Sequence, residues 1–254
     1  MSKGIVFVLF VTTLFGSAVA AQSRLEKHRA SALGNTNQRS GIGLNSRSIA
    51  TSEARISVVR LREPTKAQRL YEKALKAWIE RKPAEAQHRL DQALKIYPTF
   101  PEALTLYGGI QGSLQQTKAA EETLQSAIQI DPTYPLAYVV LAGVYNRQSR
   151  FDEAKAMTER ALSEGLNTWL VQYEIARSLI GKKEYDPALT ITQGALRKKH
   201  GALLHLAKAH ALAGLKRYRQ CKTELQTYLH DDPDGEGAQS ARDLLVRLQS
   251  VENE

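Results

Sequence analysis

The chain has 254 residues, a formal net charge of +9, 43% hydrophobic residues and a single cysteine. That much apolar mass excludes a wholly disordered chain, and one cysteine excludes an internal disulfide framework. No HExxH, GxSxG or phosphate-cradling glycine loop occurs in it, which removes common signatures of metallopeptidases, serine hydrolases and nucleotide-binding enzymes.

The N-terminus reads Met1-Ser2-Lys3-Gly4, followed by the apolar run Ile5–Phe15 and then Ala18-Val19-Ala20 in an A-x-A arrangement. A cationic start, a short apolar run and a small-residue exit describe a secretory signal peptide over residues 1–20, with cleavage after Ala20. The expected location is therefore outside the cytoplasm, in a periplasm or the extracellular space. An uncleaved anchor is the alternative, although Ile5–Ala21 is only 17 residues long and contains Thr12 and Thr13, at the short edge of a bilayer span.

Residues 21–66 read as a disordered basic arm. Asn35-Thr36-Asn37-Gln38-Arg39-Ser40 and its surroundings lack apolar periodicity, and too few large residues are present to offset the entropy of ordering. Nine Lys and Arg stand here against three Glu, so most of the net charge belongs to this arm. Such a segment suits weak contact with polyanions, but its charges are scattered and no aromatic residue is interleaved, so a solvated tether is the better reading and no nucleic-acid partner is expected. Within it, Ile56–Leu61 is a short β-prone run ahead of Pro64, expected to be either an edge strand or an extended segment lying on the first of the repeated units that begin at residue 67.

From residue 67 onward the chain repeats itself. Pro98-Thr99-Phe100-Pro101 recurs as Pro132-Thr133-Tyr134-Pro135, 34 residues later. Ala86, Leu90 and Ala93 precede the first copy, and Ala120, Leu124 and Ala127 precede the second in the same phase. Residues spaced by four and then three share one helix face, and small ones let a neighbouring helix approach. Proline ends the helix before it and fits the first turn of the next, so each motif is a stop and a start. Units follow at 67–100, 101–134, 135–168, 169–201 and 202–235. The third carries Leu141, Ala142, Tyr145, Ala154 and Ala161 but has Gly165-Leu166 in place of the closing proline. The fourth keeps Ala176, Tyr185, Ala188 and Ala195, and the fifth, one residue out of phase, has Cys221 where the others have alanine. Residues 236–254 carry an apolar stripe, Ala238, Ala241, Leu244, Leu245 and Leu248, suited to a helix that caps the last unit.

These spacings resemble the tetratricopeptide repeat (TPR) family, over nearly everything after Lys66. The resemblance implies an all-α fold, a right-handed α-solenoid of five helix pairs plus a C-terminal capping helix, and a concave groove that binds protein or peptide segments. The groove positions it implies are Tyr71, Leu75 and Trp78 in the first unit, and Thr105, Gly109 and Gly112 in the second. Val139, Gly143 and Asn146 follow in the third, Tyr173 and Arg177 in the fourth, and His210 in the fifth. Packing between repeats is the competing reading for each, and packing against Ile56–Leu61 competes for the first three. The Lys and Asn clamp with which some family members grip a carboxylate tail is absent. Gly109, Gly112 and Gly143 are expected to keep the groove floor open to a partner's large side chains.

Chemistry beyond binding is thin. His200, His205 and His210 are spaced by five, which turns each about 140° from the last on a helix, so they do not converge on a metal and are expected on solvated surface. Cys221 is expected to be a buried, inert thiol. No cofactor, metal or catalytic residue is expected. The leading reading is an exported, non-catalytic interaction scaffold. A membrane-tethered assembly factor is the second reading. An enzyme subunit is third, since no residues remain for a catalytic domain.

Overall fold

The structure is a computed structural model that describes residues 64–198, 201–235 and 237–252. The expected signal peptide, the arm up to Glu63 and the Ile56–Leu61 run lie outside the described residues, as does His200. The described residues form eleven helices and no strand. Ten of them make five antiparallel pairs: α1 (Thr65–Ile79) with α2 (Pro83–Ile96), α3 (Pro101–Ser113) with α4 (Thr117–Ile130), α5 (Pro135–Arg147) with α6 (Phe151–Ser163), α7 (Trp169–Gly181) with α8 (Tyr185–Lys198), and α9 (Ala202–Gly214) with α10 (Tyr218–Asp231). The last helix, α11 (Ala238–Glu252), packs on α10. α1 begins at Thr65, ahead of the unit start read from the sequence, because Pro64 enters in an extended conformation (φ −64°, ψ 126°) that suits the residue before a helix.

The turn within each pair is the same device five times. Arg81, Gln115, Ser149, Lys183 and Lys216 all have φ between 58° and 63°. Each is the left-handed residue that ends the first helix of its pair. Around it the next N–H reaches back across the last turn, as in Lys82 N to Ala77 O (2.9 Å) and Gln116 N to Gln111 O (2.9 Å), so the final carbonyls are satisfied. These residues recur at intervals of 34, 34, 34 and 33, and the one-residue slip before the fifth unit is thus a structural fact.

The joints between pairs vary. Pro101 and Pro135 open α3 and α5 at a position where a missing N–H wastes no hydrogen bond. Where the third unit lacks its proline, Gly165 takes φ +87° and closes α6 with bonds from Gly165 N to Leu162 O and from Leu166 N to Ala161 O.

Small residues set the distance between the helices of a pair. Ala86, Ala93, Ala120, Ala127, Ala154 and Ala161 are fully buried. Gly108 in α3 lies so close to α4 that a Cβ there would stand 2.6 Å from Leu124 Cγ, and one at Gly112 would stand 3.8 Å from Ala120 Cβ. Ala120→Trp is therefore expected to lower stability by about 1–3 kcal/mol through overpacking, read from chemical denaturation. An unchanged midpoint would count against this register.

Between units, the first helices α3, α5, α7 and α9 pack side by side as an inner layer, and each second helix packs on the next first helix. Arg150 ties units two and three. Its guanidinium donates to Glu121 of α4 (2.6 Å) and to Glu153, and lies 4.2 Å from the Tyr145 ring centre.

Candidate protein-binding groove

Every groove residue implied by the repeat pattern lies on the first helix of its pair. Tyr71, Leu75 and Trp78 are on α1, Thr105, Gly109 and Gly112 on α3, Val139, Gly143 and Asn146 on α5, Tyr173 and Arg177 on α7, and His210 on α9. Leu75, Arg177 and His210 are half-buried and the other nine are buried. Tyr71 packs its ring 5.3 Å from Phe100, the residue just before α3, so at that position packing inside the array accounts for much of the burial. Thr105 satisfies its hydroxyl on Pro101 O of its own helix (2.7 Å), which leaves its methyl group for packing.

At the centre, α5 and α7 bring together a polar network. Glu174 is fully buried. Asn146 Nδ2 donates to Glu174 Oε2 (2.8 Å) and to its backbone carbonyl (2.9 Å). Ser178 Oγ donates to Asn146 Oδ1 (2.8 Å), and Arg177 Nη1 donates to Glu174 Oε2 (3.1 Å). Arg177 also leans over the Tyr173 ring, 5.6 Å from its centre. A carboxylate held this far from water requires such partners, because desolvation disfavours the charge. The repeat pattern points to Asn146, Tyr173 and Arg177 but not to Glu174 or Ser178. The Glu174–Arg177 spacing of three on one helix is the signal that could have found them.

The glycines do not all hold the floor open. A Cβ at Gly143 would lie 3.1 Å from Glu174 Oε1, and one at Gly112 would lie 2.8 Å from Arg147 Nη2 and 3.2 Å from Val144 Cγ2. At both positions the missing side chain admits a neighbouring helix. The expectation of free space there is corrected, because large side chains of the next unit lean over the glycine.

The histidines are not on solvated surface as expected. His205 Nδ1 lies 2.7 Å from Glu224 Oε2, with Lys208 Nζ 2.5 Å from the other oxygen, inside the fifth pair. Burial opposes ionisation of Glu224, but the hydrogen bonds from His205 and Lys208 hold its carboxyl below the usual range. His210 is half-buried, and burial, with the charges of Arg177 and Arg247, pushes its imidazole below the usual value of 6.5. The reason for both is that a five-residue step on a helix with neighbours on several sides still lands on packed surface. Cys221 is fully buried, and burial, aided by Glu224, pushes its thiol up to about 11, so it is inert as expected.

For His210 the folded value lies below the unfolded one, so the unfolded chain binds more protons as pH drops through about 6.5. The stability associated with a neutral His210 is complete above that pH and is lost below it. His210→Gln is expected to flatten the fall in stability between neutrality and mild acid, measured by denaturation at a series of pH values. Identical pH profiles for both proteins would refute this role.

Among the described residues no group of three His, Cys, Asp or Glu side chains is placed to hold a metal ion, and no helix is long and apolar enough to cross a membrane. Family models described as tetratricopeptide repeat match residues 80–135 and 113–168. Among solved structures, TTC0263, a thermophilic TPR protein of Thermus thermophilus, is similar at 18% identity and a TM-score of 0.63, over 72% of this chain and 98% of that one. The pilF protein of Pseudomonas aeruginosa is similar at 20% identity and a TM-score of 0.59, over 74% and 85% of the two chains. A chain of the APC/C hetero-tetramer Cut9-Hcn1 is similar at 16% identity and a TM-score of 0.67, with 77% of this chain set against 39% of that one. Likeness at these identities is likeness of fold. No curated protein matches the sequence.

Proposed function

Because this chain is a tetratricopeptide-repeat protein, we propose that it works as an exported, non-catalytic scaffold that binds peptide or protein segments along its inner helices. The observation that carries the reading is where the implied groove residues fall. All twelve stand on the five first helices, and charged residues among them are confined to the α7 end. An apolar, aromatic-bearing lining with a few convergent polar groups suits a partner segment, with contact area setting affinity and the half-buried Arg177 and His210 setting register.

Export rests on Lys3, the Ile5–Phe15 run and Ala18-Val19-Ala20. A membrane-tethered assembly factor is the second reading, favoured by the same apolar run if it stays attached. N-terminal sequencing separates them: the exported scaffold begins at Ala21, whereas intact Met1 in a membrane fraction supports the tether.

The binding test uses a concave and a convex substitution side by side. Leu75→Glu, at a half-buried position on α1, is expected to abolish capture of partners that the unaltered chain retains from an envelope extract. Glu122→Lys, exposed on α4, is expected to leave capture and melting temperature intact, and a cooperative melt with parental helix content checks that Leu75→Glu, whose leucine packs on the core, stays folded. Capture unaffected by Leu75→Glu would overturn the groove.

A further inference from the structure

Of the twelve implied groove positions only Leu75, Arg177 and His210 are part-exposed, the other nine being buried. Two of these three meet. Arg177 is the ninth residue of α7 and His210 the ninth of α9, and the two helices pack side by side in the same direction. Equal positions on adjacent parallel helices are neighbours, with the axes about 8–10 Å apart. The last helix, α11, starts against α9, since a Cβ at Gly237 would run into the side chain of Leu206, one turn before His210. It brings a third basic group, because the charges of Arg177 and of the exposed Arg247 both act on the imidazole. The carboxylate beside them, Glu174, is fully buried and held by Asn146 and Arg177. Around α9 the other charged groups are engaged or point to water: Glu224 of α10 is taken by His205 and Lys208, and Asp186 and Arg197 of α8 are exposed. We propose that this end of the groove selects an acidic partner segment, seating an Asp or Glu side chain between His210 and Arg247, with His210 taking up a proton from solvent as the carboxylate arrives. This deepens, and rests on, the reading of the inner helices as a binding face.

The chemistry of the free site sets the selectivity. Burial and two neighbouring guanidinium groups keep His210 uncharged at neutral pH. A carboxylate reverses that balance: it gives the imidazolium a charge-assisted hydrogen bond and offsets the field of Arg177 and Arg247. A group that is protonated in the complex but not in the free protein makes affinity rise as pH falls, by at most about tenfold per pH unit for one proton. Once pH drops below the free value of His210, both forms carry the proton and the dependence levels off. Ile180 and Ala213, half-buried three residues beyond Arg177 and His210, give apolar ground to the residue next to the acid. A segment with an amide in place of the acid leaves the positive charge of the site uncompensated, so discrimination is by charge and not by size.

The probes are immobilised libraries of short peptides, free of Asp and Glu except for a fixed central Glu in one library and a central Gln in the other, all amidated at the C-terminus. The full chain is expected to be retained several-fold better on the Glu library at about pH 6, with the ratio falling towards about pH 8. His210→Gln should make the ratio independent of pH, and Arg247→Gln should lower it at both values. Arg219→Gln, exposed on the outer helix α10, should keep the parent's ratios. Helix content is checked for each variant, and should His210→Gln fail to fold, the parent's pH dependence and Arg247→Gln still decide. Equal retention on the two libraries, a Glu preference that ignores pH, or a pH dependence that survives His210→Gln would each overturn the proposal while leaving the groove itself standing. A Gln library with free C-termini covers the other source of a carboxylate. If it matched the amidated Glu library, the seat would take a chain terminus and the proposal of an acidic side chain would fall. No retention on any library would overturn the groove and the proposal together.

Discussion

Phe100→Ala is expected to lower stability by about 3–5 kcal/mol. The Phe100 side chain is fully buried at the entrance to α3. Its ring lies 5.3 Å from that of Tyr71 on α1 and 5.6 Å from that of Tyr97 after α2. It therefore anchors the joint that leads into α3 to the rings of α1 and of the turn after α2. Truncation removes the transfer free energy of the ring and leaves a cavity that helices anchored by their own pairs cannot collapse. Because a solenoid's stability is roughly a sum over units and their interfaces, the loss should concentrate at one boundary. Hydrogen exchange should show amides of α1 and α2 opening before those of α5. A loss spread evenly over the array, or one below about 1 kcal/mol, would contradict the role given to this ring.

The second large effect concerns the network at the groove's centre. Arg177→Met is expected to cost about 3 kcal/mol, because it leaves the Glu174 carboxylate fully buried with Asn146 as its remaining side-chain partner. Glu174→Gln should cost less, since an amide oxygen still accepts from Asn146 and the charge is gone. Because Arg177 and Glu174 share one hydrogen-bonded network, their costs should not add: the double variant, measured by denaturation, should lose less than the sum of the two single changes. Additive costs would mean that Arg177 contributes packing and not charge.

Much of the architecture is legible in the chain. Pro98 and Pro132, with alanines in phase ahead of them, specify helix ends and close helix faces within a few residues of themselves, and the structure places α2, α3, α4 and α5 around them. Even the missing proline of the third unit is visible, with Gly165 in its place. What the pattern mistakes is contact across units. His205 and His210 look like surface residues when only their own helix is considered, yet α10 and α11 bring Glu224 and Arg247 to them. Gly143 looks like open floor until α7 lays Glu174 beside it.

The division has a physical cause. Helix periodicity, proline stops and small packing faces act over four to seven residues, so the amino-acid sequence alone determined that this protein is a stack of helix pairs with a 34-residue phase. Asn146 and Glu174 are 28 residues apart, and their hydrogen bond exists only because one unit settles on the next at a particular rotation. That rotation is the sum of many shallow contacts, none of them marked in the chain. Tertiary structure decided it, and with it which residues of the inner layer face one another, which are closed off, and which charges share the centre of the groove.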